Sequence, residues 1–399
     1  MRRIDKIAIL VYVLILSLVI LMMPPYGDPA IVIWTSKVMF ITGFPYDPVC
    51  SKNISIGYEM LLCVRTPLYY LLIAVANEFY KIVPMILAFI FVVLQVILAR
   101  LNGSSLSVFG LMFPPIYLLF SRTYVDTLTV TLMTALLIKL IKVNGKGLNG
   151  ILLFSIPLLL MLTRESSLVF PLFLIIISFM QPEFKSKNLL IMFFGWITGF
   201  ISWQAYVNMS GGVFYSDFEP HIPTFREMYQ ALMTAITPVL PWEITSGDIQ
   251  AYININPGDL LMFLIFIGVH IVGFMGAAPI VISLIRFKTN KLILAQAFFG
   301  LITAAGLLLM KGDIDFFRHL AYLIPVIPLL IETGLRQIAE YSKLAANLIR
   351  ASYVIMFTLF LARTVRLYTS GYSFDPCQYL LKSPSIASVP YFFYETACM

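Results

Sequence analysis

Charge is what this chain has least of. Of its 399 residues 12% are Asp, Glu, Lys or Arg, while 60% are hydrophobic. A soluble domain carries about 25% charged and 45–50% apolar residues. Water cannot solvate so much apolar surface, so a soluble enzyme or nucleic-acid-binding domain is excluded and a bilayer is required. The formal charge of +7 forms no basic face, because Lys and Arg only punctuate the hydrophobic runs. Histidine numbers three and cysteine four, with no Cys-x-x-Cys and no His pair, so no zinc site is expected. Internal repeats, low-complexity segments and a soluble appendage are also missing. The first apolar run is followed by Pro24-Pro25 rather than a small-x-small cleavage site, so it reads as an uncleaved first span.

What the chain does have is a series of apolar runs. A crossing of about 30 Å needs roughly 20 residues. Eleven candidates are present: 7–23, 82–100, 105–121, 125–142, 148–163, 167–182, 189–207, 259–285, 291–311, 319–336 and 344–366. The expected fold is therefore all-α and polytopic, a single membrane domain over 1–399. Its main excursions are a first loop at 24–81, a long loop at 208–258 and a tail at 367–399. With the N-terminus in the cytoplasm, 15 of the 27 bases but only four of the 20 acids fall on the inner side, among them Arg2, Arg3, Lys6, Lys139, Lys142 and Arg286. That asymmetry satisfies the positive-inside rule and puts the C-terminus outside. The membrane is a prokaryotic plasma membrane, archaeal in first place, or that of the endoplasmic reticulum.

Two stretches of the first loop are too short to span. Residues 66–80 read as an interfacial or re-entrant helix with Tyr69, Tyr70 and Tyr80 at headgroup depth. Residues 29–42 read as a second interfacial helix starting at Pro29, its apolar Ile33, Phe40 and Ile41 interrupted by Thr35, Ser36 and Lys37. All four cysteines fall on the oxidising side. The natural pairing is Cys50–Cys63 with Cys377–Cys398, and the other two pairings stay open.

This topology gathers the polar residues near span ends on one side: Asp28, Asp47, Arg65, Arg122, Asp126, Arg164, Glu165, His221, Asp313, Asp315, Arg318 and His319. Ionisable groups at membrane depth are costly and by default mark a site. The span centres are nearly free of charge, which argues against the mid-membrane path that a transporter or flippase needs.

The order of the first loop is the most informative feature. Asp28 follows the first span, then come Gly43-Phe44-Pro45-Tyr46 and Arg65-Thr66-Pro67-Leu68. This resembles the first extracytoplasmic loop of the GT-C glycosyltransferases, multi-span enzymes that move a sugar from a lipid phosphate. The same order is similar to that of the first mannosyltransferases of the glycosylphosphatidylinositol pathway and of protein-mannosyltransferase-like enzymes. The spacing differs across the Cys50–Cys63 insert, so the resemblance is to the superfamily.

The resemblance implies a hexose, mannose or glucose, carried on a polyprenyl or dolichyl phosphate. It would pass with inversion to a lipid- or protein-linked acceptor on the extracytoplasmic face. Asp28 would be the catalytic base. The family often shows two acids at this point; here Asp28 stands alone, so no metal-binding pair and no required cofactor are expected. Asp126, in Ser121-Arg122-Thr123-Tyr124-Val125-Asp126, resembles an acid found at an outer hairpin of the family and would line the acceptor or sugar pocket; its alternative is a helix cap. Thr163-Arg164-Glu165 resembles another recurring cluster. Arg164 would hold the donor phosphate, since guanidinium forks match phosphate oxygens, and Glu165 would orient it or touch the sugar; the alternative is an interfacial ion pair. Arg318, with His319 beside it and an apolar segment with paired prolines after it, resembles a late family motif and would bind the lipid phosphate, unless it only snorkels to the interface. Asp47 and Arg65 complete the substrate-binding set. A non-catalytic scaffold of the same shape is the remaining rival.

Overall fold

The structure is a computed structural model. It describes residues 3–25, 27–54, 61–142, 150–182, 184, 186–214, 224, 228, 236, 257–285, 290–311, 316–371, 375–381 and 390–398. The described chain is almost wholly helical. The helices are α1 (Arg3–Met22), α2 (Asp28–Thr42), α3 (Pro48–Ile54), α4 (Pro67–Ala76), α5 (Ile82–Leu101), α6 (Val108–Leu111), α7 (Pro114–Phe120), α8 (Asp126–Lys142) and α9 (Gly150–Thr163). They continue with α10 (Phe170–Met180), α11 (Ser186–Ser210), α12 (Pro257–Ile285), α13 (Lys291–Lys311), α14 (Phe316–His319), α15 (Ile327–Tyr341), α16 (Lys343–Thr369), α17 (Pro376–Leu381) and α18 (Tyr391–Cys398). Two-residue strands β1 (Cys63–Val64) and β2 (Val213–Phe214) pair in parallel.

Each expected apolar run is helical over most of its described residues, and five helical segments among the described residues are long and apolar enough to cross a membrane: Ile4–Met22, Ile82–Leu101, Ser186–Ser210, Gly268–Ile285 and Lys343–Thr369. The surface agrees with this. On α1, Ile4, Ile7, Leu14, Leu18 and Leu21 are all exposed at helical spacing. An apolar face of that extent is stable against lipid and not against water.

Two runs are not single helices. The run 105–121 breaks between α6 and α7 at Pro114-Pro115, and 319–336 becomes a 3₁₀ turn (Leu320–Tyr322), a non-helical stretch and then α15. Proline lacks the amide donor and clashes with the preceding turn, so Pro325 interrupts the helix, while Pro328 sits in the first turn of α15, where no amide donor is needed.

The chain divides into two compact units. The first comprises Met1–Val19, Val92–Leu119 and Phe218–Arg366. Here α12 packs on α15, and α13 packs on the 3₁₀ turn. The carbonyls released by the proline break are taken up by buried amides: Gln95 Nε2 donates to the Pro325 carbonyl at 2.9 Å and Gln296 Nε2 to that of Tyr322. Backbone left unpaired in an apolar interior would cost several kcal/mol, so these glutamines make the irregular stretch tolerable. Glu332 accepts the Ser107 amide at 2.9 Å at the start of α6.

The second unit comprises Ile20–Phe91, Phe120–Asp217 and Leu367–Met399. Its tightest pair is α9 with α11. Gly195 and Gly199, one turn apart on α11, face α9 so closely that a Cβ on Gly195 would lie 2.1 Å from the Phe154 carbonyl oxygen. Small residues four apart let backbones approach in this way. Beside the pair, Trp34, Val38, Tyr46, Val64, Met161, Trp203, Val207, Leu380 and Phe393 form one core.

The first-loop helices form as expected but present other faces. Thr35 and Ser36 of α2 are buried, while Phe40 and Ile41 are exposed. Ser36 donates its hydroxyl proton to the Val32 carbonyl at 2.7 Å, which makes the burial affordable. On α4, Tyr69 and Tyr70 turn into the protein rather than toward headgroups, and Leu71, Leu72 and Val75 face out. The period of 3.6 residues allows either face; packing on α2 and α9 selects this one. The disulfides are Cys50–Cys63 and Cys377–Cys398.

Candidate functional site

Asp28 opens α2. The chain leaves α1 through Pro24 and Pro25, and Gly27 takes φ +60° as N-cap, a conformation glycine adopts without a Cβ penalty. Its carbonyl accepts the Ala30 amide at 3.0 Å, and Pro29 sits where no amide donor is needed. Asp28 stands in the first turn of α2, at the positive end of the helix dipole. Asp28 is half-buried.

Next to it in the chain, Pro29 lines a small open pocket of about 10 Å³, shared with Ile20, Met23, Pro24, Pro25, Tyr80, Lys81, Ser121, Arg122 and Thr123. The lining carries two cations and no carboxylate among the described residues. Lys81 Nζ donates to the Leu21 carbonyl at 2.6 Å, at the end of α1, and burial draws its ammonium below the ordinary lysine pKa. Arg122 is buried and donates to the Tyr124 hydroxyl at 3.4 Å. A pocket of this composition presents two cations beside apolar side chains.

A second cluster of the same unit collects most of the other expected residues. Between α9 and the 3₁₀ turn Glu165–Val169 the chain is extended at Arg164, which projects Arg164 and Glu165 from a helix break. Arg164 forms a salt bridge with Asp126, the first residue of α8; the pair is almost fully buried. Glu165 accepts the Thr66 amide at 3.1 Å, and the Thr66 hydroxyl donates to the Thr163 carbonyl at 2.9 Å. Arg65 binds Asp47 through Nε at 2.7 Å and NH2 at 2.6 Å. The other Asp47 oxygen accepts the amides of Val49 and Cys50, each at 2.9 Å, and so caps α3. Tyr70 stands among these charges. Burial raises its phenol pKa; Arg65 lowers it, Glu165 and Asp47 raise it, and Arg164 lowers it.

The structure thus places two ion pairs, Asp47–Arg65 and Arg164–Asp126, and Glu165 in the unit that also holds Asp28, with Arg65, Glu165, Asp47 and Arg164 all acting on Tyr70. Arg318 and His319 belong to the first unit, at the end of α14, half-buried and buried respectively. Asp313, Asp315 and His221 lie outside the described residues. His270 sits within α12. Among the described residues no group of three or more His, Cys, Asp or Glu is placed to hold a metal ion. Sequence reasoning passed over Lys81, because a lysine at a span end reads as a simple flank; its signal was its place next to Tyr80 at the end of the loop that begins at Asp28.

The helices and their five long apolar segments define an all-α polytopic membrane fold. The fold is similar to that of a solved structure, ArnT from Cupriavidus metallidurans bound to undecaprenyl phosphate, with a TM-score of 0.52 and 12% identity over 97% of this chain and 74% of that one. At this identity the likeness is one of fold. No family model and no curated protein matches the sequence.

Proposed function

We propose that the protein is a glycosyltransferase of the extracytoplasmic face that uses a sugar carried on a polyprenyl or dolichyl phosphate. The observation that carries this reading is Asp28 at the start of α2, whose chain neighbour Pro29 lines a small pocket with two cations, on a fold similar to that of a protein bound to undecaprenyl phosphate. Asp28 takes the proton of an acceptor hydroxyl. The acceptor oxygen attacks the anomeric carbon from the face opposite the phosphate. The bond from that carbon to the phosphate oxygen breaks, its electron pair stays with the lipid phosphate, and the configuration inverts. Cations stabilise the phosphate as its charge develops.

Arg164 is committed to Asp126 in this structure. Lys81 and Arg122 are therefore phosphate-binding candidates of this unit, Arg318 remains the candidate of the other, and Arg164 holds the Asp126 carboxylate toward the acceptor or sugar pocket. Glu165, Arg65 and Asp47 shape that pocket by fixing α3 and α4, with His319 supporting Arg318. The sugar is proposed to be a hexose, mannose or glucose, and the acceptor lipid- or protein-linked. The scheme needs no cofactor.

The test is transfer from a panel of radiolabelled lipid-phosphate sugars into membrane lipids and proteins. Asp28→Asn, expressed at equal level, is expected to lower transfer by about 100-fold or more, the scale of a lost general base. Unchanged transfer in the variant moves the base elsewhere, with Asp126 next. No transfer by the unaltered chain across the panel overturns the enzyme reading and puts a transporter or scaffold ahead.

A further inference from the structure

The helix that starts with Asp28 is joined to the chain by glycine at both ends. Gly27 has φ +60° and Gly43 φ +79°, and neither would meet another atom within 4 Å if given a Cβ. Links of this kind leave the direction of a helix loosely set by the backbone. Its placement comes instead from what packs on its sides, and one side is the C-terminal segment.

Helices α17 and α18 are closed into a hairpin by Cys377–Cys398, and Asp375 caps α17 by accepting the Cys377 amide at 3.0 Å. The hairpin seats on α2. Trp34, 2% exposed, packs edge-on against Tyr379 and Phe393, with ring centres 6.3 and 6.4 Å away. Its indole N–H donates to the Thr396 hydroxyl oxygen at 2.9 Å. That hydroxyl directs its own proton to the Phe392 and Phe393 carbonyls, at 3.0 and 3.1 Å, so it faces Trp34 as an acceptor. Phe392 stacks on Tyr46, just beyond the far end of α2, at 5.8 Å.

We infer that Trp34 and Thr396 are positioning residues for Asp28, and that the disulfide-closed C-terminal hairpin is the clamp through which they act. Trp34 lies six residues along the same helix from Asp28, about 9 Å at the rise of an α-helix. Tilting the helix at Trp34 therefore displaces the carboxylate. This inference rests on the reading of Asp28 as the base for its kinetic consequence, and on geometry alone for its mechanical one.

Two readouts test it. All four native cysteines are in disulfides, so the Asp28→Cys variant has a single reactive thiol for a nitroxide spin label. Adding Thr396→Val to the labelled protein is expected to shift its spectrum toward a mobile component. Adding Thr396→Ser, which keeps the acceptor, is expected to leave it unchanged. The pair Cys377→Ser with Cys398→Ser is expected to loosen the label at least as much. In the unlabelled enzyme, Thr396→Val is expected to lower kcat about five- to tenfold with donor KM held within about twofold, as misplacing a catalytic group does, and Thr396→Ser to restore it. An unchanged label spectrum in Thr396→Val overturns the inference whether or not the protein transfers sugar. So does a mobile label with kcat intact in an active enzyme. Absence of transfer by the unaltered chain is a failure of the enzyme reading alone, and the label still decides the clamp.

Discussion

Arg164→Met is expected to cost about 3–5 kcal/mol of stability, the scale for removing one partner of a buried ion pair. Asp126 is fully buried and Arg164 8% exposed, and they meet across the start of α8 and the end of α9. Methionine fills much of the arginine volume but leaves the carboxylate without its counter-charge. The carboxylate must then take up a proton or pull the start of α8 toward water. Changing both partners, Arg164→Met with Asp126→Leu, is expected to recover most of the loss, since a well-packed apolar pair is often as stable as a buried ionic one. The check is thermal unfolding in detergent followed by tryptophan fluorescence, run as a double-mutant cycle. A coupling near zero would mean that the pair does not hold the two helices together. If Asp126 also lines the acceptor pocket, the double variant will be stable yet slow, which separates its two roles.

Adding one methyl group to α11 is expected to be as damaging. In Gly195→Ala the new Cβ would lie 2.1 Å from the Phe154 carbonyl oxygen and 3.0 Å from the Phe154 Cα, both backbone atoms of α9 that no rotamer change can move. The helices must separate, and with them goes the packing of Met161 and Trp203 in the core that also seats Trp34. The expected loss is about 3 kcal/mol or more, at or above the upper end for overpacking. Gly306→Ala is the control. That glycine lies within α13 with open space around it, and alanine there is expected to raise stability by about 0.5–1 kcal/mol through helix propensity. The fraction of protein recovered as a single species in detergent, and its melting temperature, read both. A Gly195→Ala protein that melts with the unaltered chain would show that α9 and α11 do not approach as closely as the structure has them.

By itself the sequence determined the apolar runs and the two interfacial-length helices after the first span, and it favoured the disulfide pairing that the structure settles. Each is written locally: a run of apolar residues is a statement about solvent, and cysteines near in sequence close the shorter loops. The Thr163-Arg164-Glu165 cluster and Asp28 were also visible, because a charge at the end of an apolar run stands out.

Only the tertiary structure decided which charge meets which. Arg65 turned to Asp47 and Arg164 to Asp126, and Glu165 went to the Thr66 backbone. It also decided that Tyr69 and Tyr70 face inward, that two expected spans break at prolines, and that Trp34 meets Thr396. The physical reason is range. Hydropathy and helical period fix what each residue must avoid, whereas a partner is fixed by how closely backbones approach. In this chain that approach is set by features of a single atom, such as the missing Cβ of Gly195 and the missing amide hydrogen of Pro325, whose effect is felt by residues far away in the sequence.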